Sequence, residues 1–155
     1  MSIAQFKSLT EEEKLFLLTT PAMVTYLIGG ADGVFDPREE VQAEHIVRIR
    51  KENGDPLLFD FYIEVEKLFF EQLDALVNNH SAKSATERTE FLVAELSKLN
   101  QILPKLDNLY ARALLASLRS LAKFIAEASG GVFGFLEISY EEEQLLGLTM
   151  VTYTP

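Results

Sequence analysis

The apolar positions of the chain recur at helical spacing, and no stretch shows sustained alternation of apolar and polar residues. The segment from Pro56 to Val77 is a clear case, because most of its large apolar residues lie three or four positions apart: Leu57, Leu58, Phe61, Val65, Leu68, Phe69, Leu73 and Leu76. This spacing places them on one side of a helix that faces a core. A second apolar stripe, from about Lys105 to Ala128, predicts another long helix. The pattern therefore predicts an all-α fold, a compact bundle of about six or seven helices.

Capping signals place the start of the first helices. Thr10 followed by Glu13 forms a capping box, in which each residue accepts a hydrogen bond from the backbone of the other. Pro21 interrupts the apolar run that follows, and a proline is unfavourable inside a helix. The sequence therefore predicts two helices, one ending at about Thr19 and one running from Pro21 to Gly29. A single kinked helix is the alternative.

The same signals place the later helices. Ser84 or Thr86 caps a helix that continues to the residue before Pro104, where the proline breaks it. Ser139 and Glu142 form another capping box, which predicts a last short helix near the C-terminus.

Composition narrows the classes of function. The length of 155 residues fits one domain, and we predict a single domain over residues 1–155. The formal net charge of −10 argues against nucleic acid or an anionic membrane surface as a partner, and it permits a cation or a basic protein partner. Because there is no cysteine, disulfides and thiolate metal sites are excluded.

The uncharged run from Leu15 to Ala31 raises the question of a membrane span. It is shorter than the roughly 20 residues that a span needs, and Pro21 interrupts it. It also lacks the basic flank and the small-residue cleavage site of a secretory signal. We therefore interpret the run as a buried helix, predict no membrane span and expect a cytoplasmic location.

Four carboxylates lie close together where the apolar run gives way to a polar helix: Asp32, Asp36, Glu39 and Glu40. Hard cations such as Ca²⁺ and Mg²⁺ prefer oxygen ligands, so this acidic corner is a candidate site for a divalent cation. Helix capping is the alternative, because Asp36 and Glu39 form a capping box and the helix dipole stabilises acids in a first turn. Asp32 is also typical of a tight turn.

No catalytic motif accompanies these acids. Gly29-Gly30 and Gly130-Gly131 follow predicted helices rather than strands, so they do not match dinucleotide-binding loops. The residue three positions before His45 is Gln42, so the Glu-x-x-His pair of di-iron bundles is missing. The sequence predicts no reaction, and we expect a non-enzymatic protein.

The segment Ala31-Asp32-Gly33-Val34-Phe35-Asp36, followed by Glu39, resembles the motif of the TerB-like, tellurite-resistance-associated family. A diverged echo of this segment returns from Ala128 to Phe135, again followed by a capping pair, Ser139 and Glu142. The motif and its echo together cover only parts of the chain. The middle of the chain supports the resemblance only through its helical character.

The resemblance implies an all-helical fold with two pseudo-symmetric halves, a role in tellurite or stress response, and an acidic metal site. That site carries over to Asp32, Asp36 and Glu39, and Glu40 is added from its spacing alone. The echo has Ser129 at the position of Asp32, so only the first corner keeps its acids.

A second hypothesis makes the chain a protein–protein interaction module without a metal. Val132, Phe133, Phe135 and Leu136 place four large apolar residues in one glycine-flanked loop, from Val132 to Leu136. An exposed apolar patch of this kind is typical of a binding surface. Burial of the loop between the last two helices is the alternative.

Overall fold

A computed structural model describes the backbone of residues 3–30, 37–128 and 145–154, and the side chains of all of these except residues 37–43 and 128. The α-helices of this part of the chain are α1 (Glu11–Gly29), α2 (Pro37–Asn53), α3 (Phe59–His80), α4 (Ala85–Leu96), α5 (Leu99–Ile102) and α6 (Asn108–Ala128). No strand occurs in these residues, so the predicted all-α fold is confirmed. The helix count differs slightly from the prediction, because α5 is only a single turn of four residues.

Helix α1 begins at the predicted capping box. The backbone N–H of Glu13 donates to Thr10 Oγ1 at 3.1 Å, and the backbone N–H of Thr10 donates to Glu13 Oε1 at 2.9 Å. Lys105 Nζ also donates to Glu13 Oε2 at 2.6 Å, which holds the pKa of the Glu13 carboxyl below its ordinary value. The start of α1 is thereby tied to the turn that precedes α6.

Helix α1 continues through Pro21 without a break, so the prediction of two separate helices was wrong and the alternative of one helix is correct. Pro21 has no N–H to donate to the carbonyl of Leu17, one turn earlier. The hydroxyl of Thr20 donates to Leu17 O instead, at 2.7 Å. A side chain therefore replaces the backbone hydrogen bond that the proline removes.

The second half of α1 lies at the centre of the fold. Every residue from Thr20 to Gly29 is buried. Helices α3, α4 and α6 pack around α1, while α2 packs against α3 and α6. The uncharged run is thus a core helix, as predicted. Among the described residues, no helix combines the length and the hydropathy that crossing a membrane would require.

A buried arginine closes the C-terminal end of α1. Arg88 of α4 donates through Nη2 to the carbonyl of Gly30 at 2.7 Å, and its guanidinium carbon lies 5.1 Å from the centre of the Tyr26 ring. The negative end of the helix dipole also stabilises a cation at this position. Gly30 is required here, because a Cβ would lie 2.8 Å from Tyr26 O.

The helix predicted to run from Ser84 or Thr86 to the residue before Pro104 is divided in the structure. Ser84 is the N-cap, because its hydroxyl accepts from the backbone N–H of Glu87 at 3.1 Å. Helix α4 ends at Leu96, and the short helix α5 and a 3-10 turn that contains Pro104 follow it. The prediction of one continuous helix up to the proline was therefore wrong.

Helix α6 is strongly two-sided. Its inner side is buried against α1 and α2 and consists of apolar residues: Tyr110, Ala111, Leu114, Leu115, Leu118, Leu121, Ala122, Ile125 and Ala126. The other side carries exposed and half-buried polar residues. One long side of α6 is thus free of helical neighbours within the described part of the chain.

We predict that Thr20→Val destabilises the protein more than Thr25→Val. Both hydroxyls are buried and both donate to a carbonyl of α1, Thr20 to Leu17 O and Thr25 to Pro21 O. Pro21 O also accepts from the backbone in the regular helix pattern, whereas Leu17 O has lost that donor. Thr20→Val should lower the free energy of unfolding by about 1–3 kcal/mol and Thr25→Val by less than about 1 kcal/mol, measured by urea unfolding. Equal losses would contradict this explanation of Pro21.

Candidate functional site

The acidic corner is only partly within the described residues. Asp32 and Asp36 lie outside them, while Glu39 and Glu40 lie in the first turn of α2, with their side chains undescribed. Within the described ranges, no three His, Asp or Glu side chains come together in a way that could hold a metal ion. The metal site at the corner therefore stays a prediction.

The apolar loop from Val132 to Leu136 also lies outside the described residues, as do Ser139 and Glu142 of the predicted last cap. Neither the interaction patch nor its burial between helices is tested. Both stay predictions, and so do the two pseudo-symmetric halves that rely on this part of the chain.

A groove of about 400 Å³ runs along the outer side of α6. Its walls come from one face of the helix and from one residue of the C-terminal tail: Arg112, Leu115, Ala116, Arg119, Ser120, Lys123 and Tyr153. The helical residues are spaced three, four, seven, eight and eleven positions after Arg112, which is the pattern of a single helix face. We call this feature the α6 groove.

All three basic residues of α6 line the α6 groove: Arg112, Arg119 and Lys123. Arg112 and Lys123 are exposed. The ion pairs of the described residues use other basic side chains: Lys14, Arg48, Lys51, Lys67, Lys98 and Lys105. No carboxylate of the described residues lines the groove, and the one acid of α6, Glu127, is exposed on the turn after Lys123. The groove therefore presents positive charge that no described carboxylate neutralises.

Arg119 anchors the C-terminal tail beside the groove. Its Nε donates to Gly147 O at 2.9 Å, and its Nη2 donates to Val151 O at 3.1 Å. Between these two acceptors, the buried Leu148 adopts a left-handed backbone conformation with φ of 48°, which is uncommon for a residue other than glycine. The guanidinium of Arg119 thus satisfies two carbonyls of a strained turn and keeps its charge at the floor of the groove.

Asn100 and Asn108 hold the rest of the tail. Asn100 donates through Nδ2 to Met150 O at 2.9 Å and accepts from the backbone N–H of Thr152 at 2.7 Å. The hydroxyl of Tyr153 donates to Asn108 Oδ1 at the start of α6. The Tyr153 ring, which lines the groove, is therefore held by its own hydroxyl at Asn108 and by the contacts of Asn100 with the preceding tail residues.

This arrangement can bind an anionic group but offers no acid–base pair. Arginine presents a planar fork that matches a carboxylate, and lysine adds a mobile point charge. Leu115, Ala116 and the ring of Tyr153 give the groove an apolar floor between these charges. A ligand that carries carboxylates with some apolar surface fits this chemistry.

The sequence analysis did not single out these basic residues. The stretch from Asn108 to Ala128 carries three basic residues and one acid, in a chain with 24 acids and 14 basic residues. Positions seven and four apart, as in Arg112, Arg119 and Lys123, share a helix face. This local reversal of charge is the signal that could have predicted a basic face on α6, although not the groove itself.

Acidic residues of α2 are partly engaged in ion pairs. Glu44, one turn beyond Glu40, lies 4.0 Å from Arg48, and Arg48 and Lys51 also reach Glu66 of α3, at 3.7 and 2.7 Å. These contacts join α2 to α3. Among the α2 acids with described side chains, Glu44 therefore has a structural explanation in its ion pair with Arg48.

Comparisons against protein-family models, curated proteins and solved structures gave no match. The resemblance to the TerB-like family therefore rests on the sequence motif around Asp32 and Asp36 and on its echo from Ala128 to Phe135, and it stays a prediction.

Proposed function

We propose that the chain is a non-enzymatic binding domain that docks an acidic segment of a protein partner in the α6 groove. The observation that carries this proposal is the set of three basic side chains, Arg112, Arg119 and Lys123, on one face of α6 without a described carboxylate partner. Unneutralised cations with a shared orientation attract a ligand of opposite charge.

The length of the groove suits a short peptide segment. Eleven residues separate Arg112 from Lys123, which corresponds to about 16 Å along the helix axis. An extended chain covers that distance in about five residues. A segment with two or three acidic residues on one side, and an apolar residue over Leu115 and Ala116, would match both the charges and the floor of the groove.

The charge of the whole chain limits how such a partner binds. At a net charge of −10, the protein repels an acidic segment at long range. Physiological salt screens charges over about 8 Å, so this repulsion weakens before contact, where the local basic face acts. We therefore expect modest affinity that depends on direct contacts with the three basic residues.

The first test uses labelled hexaglutamate as the probe, measured by fluorescence anisotropy. The double variant Arg112→Gln with Lys123→Gln should weaken binding roughly tenfold, because each exposed ion pair contributes up to about 1 kcal/mol. The double variant Lys7→Gln with Lys83→Gln removes the same charge from exposed lysines outside the groove, and it should bind within about twofold of wild type.

Two results would contradict this function. One is equal weakening by both double variants, which would show that only net charge matters. The other is the absence of measurable hexaglutamate binding to the wild-type protein, since the groove would then not hold an acidic segment. Circular dichroism of each variant checks that the fold is intact.

A second proposal concerns the acidic corner and the TerB-like motif. We propose that Asp32, Asp36 and one of Glu39 or Glu40 bind a calcium- or magnesium-class ion. Support comes from the start of α2 at Pro37, which puts positions 39 and 40 in the first turn of the helix, as the sequence predicts. The role in tellurite or stress response and the cytoplasmic location belong to this proposal.

Thermal unfolding with chelator and with millimolar calcium or magnesium tests the corner. An ion that binds only the folded state stabilises it by about 2.7 kcal/mol at a hundredfold excess over Kd. Asp36→Ser keeps a cap and removes a ligand, and Asp32→Asn keeps the turn chemistry and removes a charge. The stabilising shift should shrink in both variants. Identical wild-type melting curves with chelator and with either ion would leave the corner as a capped helix start.

A further inference from the structure

A second cavity, of about 270 Å³, lies between α2 and α6. Its walls are apolar on α6 and on two turns of α2, and polar toward the end of α2: Ile46, Ile49, Arg50, Asn53, Gly54 and Phe124. Two of these apolar side chains are well exposed, Ile49 at 43% and Phe124 at 51%. The cavity therefore opens to solvent through an apolar rim.

Among the described residues that line this cavity, Arg50 is the one with a charge. Its guanidinium carbon lies 5.0 Å from the centre of the Phe124 ring, and its Nη2 donates to Ser120 Oγ at 2.9 Å. Nε is enclosed and has no hydrogen-bond partner. No described carboxylate forms an ion pair with Arg50. The guanidinium thus stacks on an aromatic wall, with its Nε unpartnered among the described residues.

An arginine in this state is short of a counter-charge. Burial lowers the pKa of Arg50 below its ordinary value, while the nearby Tyr62 acts in the opposite direction. A half-buried cation has lost part of its hydration, and a neutral serine hydroxyl compensates only part of that loss. A carboxylate at the cavity would supply both the missing charge and a planar acceptor for the guanidinium.

We propose that this cavity binds a small amphipathic carboxylate, with its carboxyl group at Arg50 and its apolar body against Ile46, Ile49 and Phe124. Asn53 lines the same cavity and offers an amide as a further donor. The single charge and the apolar walls favour a monocarboxylate over a phosphorylated or polyanionic ligand.

The size of the cavity sets the size of the ligand. A volume of about 270 Å³ lies near the lower end of the roughly 300–1,000 Å³ of ligand pockets. It therefore suits a small ligand, such as a medium-chain or aromatic monocarboxylate. The site is distinct from the α6 groove, because no residue lines both cavities.

The test is a titration of the ¹⁵N-labelled protein with hexanoate, followed by NMR. Hexanoate should shift the amide signals of Asn53 and Gly54, and 1-hexanol and hexylammonium should bind at least about tenfold more weakly. Arg50→Gln should weaken hexanoate binding by about tenfold or more, which equals about 1.4 kcal/mol. Lys7→Gln removes one charge from an exposed lysine that lines neither the cavity nor the α6 groove, and it should change the dissociation constant by less than about twofold.

Several results would overturn the site. It fails if hexanoate leaves Asn53 and Gly54 unshifted, if hexanol or hexylammonium binds as tightly as hexanoate, or if Arg50→Gln binds hexanoate like wild type. If Arg50→Gln does not fold, two other measurements still test the site. One compares hexanoate, 1-hexanol and hexylammonium on the wild-type protein, and the other measures hexanoate binding to Phe124→Ala. That change removes an exposed wall of the cavity and should weaken hexanoate binding several-fold.

Discussion

The buried helix at the centre of this fold contains a proline, and one side-chain hydrogen bond compensates for it. Thr20 donates to the carbonyl of Leu17, which Pro21 would otherwise leave without a partner in the middle of a buried helix. With that carbonyl satisfied, α1 continues to Gly29, where Arg88 accounts for the carbonyl of Gly30. Because the carbonyls of Leu17 and Gly30 both have hydrogen-bond donors, this apolar helix can be buried. Helices α3, α4 and α6 pack around it.

The position of α6 follows from this core and exposes its basic residues. One side of the helix is committed to α1, so the charged residues must lie on the other side. The net charge of −10 permits a cation or a basic protein as partner, yet this face presents Arg112, Arg119 and Lys123. A net charge averages over the whole surface, whereas a partner meets one face of it.

The sequence predicted the elements that depend on local chemistry and missed those that depend on contacts between distant residues. The caps at Thr10 and Ser84 were readable because an N-cap and its partner lie within one turn. Pro21 was misjudged because its effect depends on the rotamer of Thr20. The groove was missed because it requires α6 and the tail to meet at Arg119. The acidic corner stays a sequence prediction, since Asp32 and Asp36 lie outside the described residues.

The most direct measurement of the central claim, that α6 carries the binding surface, is a map of the contact surface. The ¹⁵N-labelled protein is titrated with unlabelled hexaglutamate, and the shifted backbone amides are located along the chain. We expect the largest shifts from Arg112 to Lys123 and at Tyr153, with little change near Lys7 or Lys83. Shifts spread over all exposed lysines, or centred away from α6, would contradict the assignment of the groove as the binding surface.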